Sequence, residues 1–84
     1  MITILPIGAH VERRLTRWQL RKKFAKQCIL FIHNPKHPSL HVELMEPHNL
    51  GIYSFRIDRK YRAVFIFRET DYAIEILTVT LHYQ

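Results

Sequence analysis

Eighty-four residues are too few for two domains and enough for one with a modest core. An ordinary hydrophobic share of 48% with only two glycines excludes a disordered or repeat-built chain, and one cysteine excludes an internal disulfide. Thirteen Lys and Arg against seven Asp and Glu, a formal charge of +6 and a pI near 9.9, suit a nucleic acid or an acidic protein as partner, although a merely soluble basic domain has the same balance.

The chain opens with "MITILPIGAH", which has no basic leading segment and too short an apolar run for a signal peptide. Nothing further on approaches the length of a membrane span, and Cys28 lies in an apolar run, so a cytoplasmic protein with no membrane partner is expected. "ITILP" reads as a short strand closed by Pro6. Val11, Leu15 and Trp18 then form one helical stripe, and Leu20, Phe24, Cys28 and Phe31 form another. The stripes are out of phase, because continuing the first puts Arg21 or Lys22 in the core. Thr16 and Gln19 have the spacing of a capping box. Two helices are therefore expected, about 8–15 and 17–33, with "RKKFAK" on the outer face of the second.

Two prolines in "NPKHPSL" end the helical region, and from there the period is two. Four strands follow, in "HVELME", "GIYSFRI", "YRAVFIFR" and "YAIEILTVTLHY". The expected fold class is α+β, a single domain over 1–84: a short N-terminal strand, a two-helix hairpin, then a four-stranded antiparallel meander packed on the helices. Alternation sends Val42 and Leu44, then Tyr53, Phe55 and Ile57, then Tyr61, Ala63, Phe65 and Phe67, then Leu77, Val79 and Leu81 to the covered face. The other face receives His41, Glu43, Ser54, Arg56, Arg62, Arg68, Thr78, Thr80 and His82, together with Val64, Ile66, Ile74 and Ile76. That second face is either a plain wet face or a site drawn from all four strands.

"NPKHPSL", "GIYSFRIDRKYRAVF" and the closing "LHY", in this order and at this length, resemble the RelE/ParE superfamily of bacterial toxins, and within it the YoeB-like messenger RNA interferases. The resemblance implies a RelE-like fold and a type II toxin–antitoxin toxin. It implies an endoribonuclease that cleaves messenger RNA on the ribosome without a cofactor, held silent by a cognate acidic antitoxin. Glu43 lies thirteen residues before Arg56 and Arg62 six after it, a spacing similar to the family's catalytic carboxylate, groove arginine and catalytic arginine. His82 and Tyr83 match its terminal histidine and tyrosine. Catalytic Glu43, Arg62, His82 and Tyr83, with Arg56, Lys60 and Arg68 on RNA, are what the likeness implies. A ParE-like inhibitor of DNA gyrase without nuclease chemistry, or an inactive RNA-binding relative, is the alternative.

Such residues can cut RNA through its own 2′-hydroxyl. A base takes the hydroxyl proton, the oxygen attacks phosphorus, and an acid protonates the leaving 5′-oxygen while cations hold the phosphorane charge. Glu43 is the candidate base, His82 the acid, Arg62 the cation and Arg56 the phosphate-positioning or Glu43-orienting group, with Tyr83 stacking on a base or donating to phosphate. Glu43 paired with Arg56 across the strands is an equally open reading. No metal is expected. His33 and His37 have helical ligand spacing, but Pro35 and Pro38 interrupt any helix there.

Overall fold

A computed structural model of the protein describes residues 2–68 and 72–81. The elements run β1 (Thr3–Ile4), α1 (Ala9–Arg17), α2 (Arg21–His33), β2 (Glu43–Leu44), β3 (Ile52–Arg56), β4 (Tyr61–Phe67) and β5 (Ala73–Leu81). Short 3₁₀ turns at Pro38–Leu40 and His48–Leu50 flank β2. The sheet order is β1-β5-β4-β3-β2. The last four strands form the expected antiparallel meander, and β1 adds to β5 in parallel, so the five-stranded sheet is mixed.

Val11 and Leu15, four residues apart, give α1 its buried stripe, while Arg14 and Arg17 in its last turn oppose the negative end of the helix dipole. The break between the helices falls later than expected and has a different cause. Leu20 N–H donates to the Leu15 carbonyl (2.8 Å) and Gln19 N–H to that of Thr16 (3.2 Å), with Gln19 in the left-handed region at φ 56°. That is a Schellman ending to α1 rather than a capping box, and buried Leu20 is its apolar anchor. Thr16 Oγ1 instead accepts from Arg21 Nε (3.1 Å). In α2, Phe24 and Phe31 are buried as expected, but Gln27 is buried too, and Cys28 only partly. Gln27 Nε2 donates to the carbonyls of Arg56 (2.8 Å) and Ser39 (3.2 Å), which offsets the cost of burying an amide.

Aromatic rings form the centre of the core. Phe31 of α2 meets Phe55 and Phe65 with ring centroids 5.5 and 5.2 Å away, and Phe65 also touches Tyr53 and Phe67. Leu15, Leu20, Leu40, Ile74 and Val79 close around them.

Two expected strand faces are corrected. In β5 a bulge intervenes: Val64 pairs with Thr78, but the next residue, Phe65, pairs with Ile76, so Leu77 is skipped. The extra residue reverses the alternation upstream of it. Ile74 and Ile76 join Val79 in the core, while Leu77 is 37% exposed; Leu81, in phase with Val79 and opposite Tyr61, keeps its expected face but is 36% exposed at the end of β5. In β2, Val42 and Leu44 were expected in the core and are exposed, because only two residues pair there, at the outermost position of the sheet. At the other edge β1 covers only the start of β5. Beyond it α1 takes over: Arg14 Nη1 donates to the Val79 carbonyl (2.8 Å), and His10 Nε2 lies 2.9 Å from Thr78 Oγ1.

Asp58 fixes the β3–β4 turn. Its carboxylate accepts from the N–H groups of Lys60 (2.8 Å) and Tyr61 (3.0 Å) and from Lys23 Nζ (3.1 Å). Burial pushes its pKa up, but these donors more than offset that and leave it below the ordinary carboxylate value. A depressed pKa stabilises the fold above the unfolded value, near ~4, and the contribution is lost as pH falls through the lower folded value. Asp58→Ala should therefore cost about 1–2 kcal/mol at neutral pH. The difference from wild type in urea unfolding should shrink below about pH 4. Asp58→Asn, which keeps an acceptor oxygen, should recover part of the loss.

Burial pushes the Cys28 thiol up to about 12. Only the thiolate is a nucleophile, so the native protein should resist iodoacetamide at pH 8 and react once urea unfolds it. Rapid alkylation of the folded protein would contradict the packing of α2.

Candidate functional site

The helices leave one sheet face uncovered, and residues opposite each other in the ladder share it. One row across the strands reads Glu43, Ser54, Val64 and Thr78. The next reads Arg56, Arg62 and Thr80. A third reads Ile52, Ile66 and Glu75. Adjacent rows are two residues apart along each strand, about 7 Å, except across the β5 bulge, where Thr78 and Glu75 lie three residues apart. Glu43, Arg56 and Arg62, separated by up to 19 positions in the sequence, thus meet on one small area.

Their environments differ. Arg62 is only 4% exposed. Its Nε donates to Ser54 Oγ (2.8 Å), and its Nη2 donates to the Ser54 carbonyl (3.3 Å) and to the His41 carbonyl. Burial pulls the guanidinium pKa below its ordinary value, the nearby charge of Glu43 pushes it back up, and Arg56 pulls it down again. Directly opposed like charges are unfavourable across a ladder, and Glu43 is the offsetting charge. Arg56 is half-buried, and its guanidinium has no hydrogen bond or ion pair among the described residues. Glu43 is exposed and likewise forms no ion pair with Arg56 among them.

Two expected RNA contacts lie apart from this area. Lys60 is exposed in the β3–β4 turn, beyond one end of β4. Arg68 follows the other end, six residues and about 20 Å of strand from Arg62, and its Nη1 is paired with Glu75 Oε1 (2.7 Å). His82 and Tyr83 lie outside the described residues. Alternation placed Ser54 on this face without giving it a part; its hydroxyl and carbonyl both hold Arg62. The contribution of the His41 backbone had no sequence signal, since it depends on a left-handed turn, φ 44° and ψ 53°.

Among the described residues no three His, Cys, Asp or Glu side chains gather closely enough to hold a metal ion, and no helix is long and apolar enough to cross a membrane.

No protein-family model and no curated protein matches the chain. Solved structures match it from end to end. A YoeB/ParE toxin from Agrobacterium tumefaciens is similar at 16% identity, covering 98% of this chain and 100% of that one, with a TM-score of 0.73. The heterotetrameric YoeB–YefM toxin–antitoxin complex from Staphylococcus aureus is similar at 19% identity, over 99% of each chain, with a TM-score of 0.69. YafQ from E. coli strain BL21(DE3) is similar at 10% identity, covering 98% of this chain and 94% of that one, with a TM-score of 0.70. The chain shares the RelE-like α+β fold of these solved toxins.

Proposed function

We propose that this protein is the toxin of a type II toxin–antitoxin pair and that it cleaves messenger RNA on the ribosome through the RNA's own 2′-hydroxyl. The observation that carries the reading is the convergence of Glu43, Arg56 and Arg62 on the uncovered sheet face. A carboxylate beside two guanidiniums supplies a base and positive charge where a phosphodiester would lie. The fold shared with solved toxins, one of them bound to its antitoxin YefM, supports the toxin half of the proposal.

Glu43 takes the 2′-hydroxyl proton as the oxygen attacks phosphorus. Arg56 stabilises the charge gathering on the phosphorane, and buried Arg62 opposite it adds positive charge from behind. His82, two positions beyond Thr80, which pairs with Arg62, gives a proton to the departing 5′-oxygen, and Tyr83 stacks on or donates to the substrate. The net charge of +6 suits both RNA and an acidic antitoxin that silences the toxin by covering the site. Primer extension on messenger RNA after brief induction tests the reading. New 5′ ends within minutes, with translation stopping before replication, are the expected result. Arrested replication with intact messenger RNA would replace it with gyrase inhibition.

A further inference from the structure

Arg62 uses its donors within the protein. A guanidinium grips a phosphate through two adjacent N–H groups on one edge of its planar fork. In Arg62, Nε and Nη2 are both committed to protein acceptors, so neither edge keeps two free donors, and the side chain is 4% exposed. Arg56, directly opposite, is half-buried and has its whole fork free among the described residues. The two arginines of the site are therefore not equivalent.

What Arg62 holds is the segment that delivers Glu43. The His41 carbonyl that accepts from Nη2 belongs to a residue in the left-handed region, an uncommon state for a side chain with a Cβ that needs support from its surroundings. Two residues later comes Glu43, on a strand of only two residues. So short a strand has few ladder bonds to fix it. The turn before it is pinned from the covered side by Gln27, through the Ser39 carbonyl, and by fully buried Leu40. Arg62 pins its exit from the groove side, with Ser54 fixing the guanidinium. Resting on the nuclease reading above, we infer that Arg56 is the residue that contacts the substrate phosphate, while Arg62 and Ser54 are positioning residues that hold the His41–Leu44 segment so that Glu43 faces the 2′-hydroxyl.

The test separates contact from position. The probe is a short single-stranded RNA methylated at every 2′-oxygen, which binds but cannot be cut, and cleavage is measured with unmodified messenger RNA and purified ribosomes. Arg56→Gln should weaken probe binding about tenfold and reduce the salt slope of log K by about one. Arg62→Lys keeps the charge but cannot reproduce three directed hydrogen bonds. It should bind the probe within about twofold of wild type and lose on the order of 100-fold in kcat with KM unchanged. Amide exchange should rise at residues 42–45 in that variant and stay unchanged in Arg56→Gln. Ser54→Ala should shift kcat and exchange in the same direction, less far. Loss of probe affinity in Arg62→Lys as large as in Arg56→Gln, with exchange at 42–45 unchanged, would overturn the inference and leave the nuclease reading standing. A wild-type protein that binds the probe and cuts nothing would overturn both.

Discussion

Phe65→Ala should unfold the domain or bring it close to unfolding. Phe65 is fully buried in the central strand β4, and its ring lies 5.2 Å from Phe31, 5.7 Å from Tyr53, 5.8 Å from Phe55 and 5.6 Å from Phe67. Alanine there removes the hub through which α2 contacts β3 and β4. The vacated space cannot close easily, because its walls are aromatic rings held on two strands and a helix. Removing a buried phenyl ring costs roughly 3–5 kcal/mol, against a total stability of about 5–15 kcal/mol for a domain. In a chain of this size the melting temperature should fall by at least about 12 °C. Val64→Ala is the contrast, one residue away on the opposite face and at the periphery of the core. It should cost less and leave a cooperative transition. Circular dichroism during thermal and urea unfolding checks both, and a Phe65→Ala protein melting like wild type would mean that the two sheet faces are exchanged.

The faces of β3 and β4 were legible because their large core residues alternate with polar ones, Ser54 and Arg56 beside Phe55 and Ile57 on one strand and Arg62 beside Ala63 and Phe65 on the next, although Val64 and Ile66 share the polar face. In β5 the same rule failed for a physical reason. "AIEILTVTL" offers two apolar phases, Ile74 with Ile76 and Leu77 with Val79 and Leu81. The bulge that lets Ile74, Ile76 and Val79 all reach the core exists only in the pairing with β4. Gln27 escaped for another reason. A polar residue is passed over when a helical stripe is sought, and its two carbonyl partners sit 12 and 29 positions away. The break after α1 was located to within a few residues, but its chemistry lies in backbone bonds to Leu20 and Gln19 that no side-chain pattern reports.

Period and spacing brought Glu43, Arg56 and Arg62 onto one face, and the register bears that geometry out. They could not reveal that Arg62 is buried. Charged residues are expected in water, and its acceptors come from Ser54 on the neighbouring strand and from a backbone carbonyl at His41. Arg62→Ala accordingly does more than remove a cation. It strands those acceptors, so a loss of activity in that variant does not separate chemistry from folding.

Glu43→Gln avoids that ambiguity and carries the largest expected effect on activity. Glutamine keeps the size of the side chain and its hydrogen-bonding reach but cannot accept the 2′-hydroxyl proton. Glu43 is exposed and has no ion pair among the described residues, so the fold has little to lose. What it does lose is the charge beside Arg62, which raises that guanidinium's pKa against the effect of burial. A small drop in stability is therefore expected, within about 1 kcal/mol for a charge this exposed. General-base catalysis contributes on the order of 10²–10⁴ in rate, and single-turnover cleavage should fall by that factor while binding of the 2′-methylated probe holds. Glu43→Asp is the companion: it keeps the base and shortens its reach by one methylene, so it should retain part of the activity through a longer proton transfer. If Glu43 were only a solvated carboxylate at the sheet edge, all three proteins would cleave alike. Equal cleavage by wild type and Glu43→Gln, with equal melting, would remove Glu43 from the chemistry and require the base to come from elsewhere on the face.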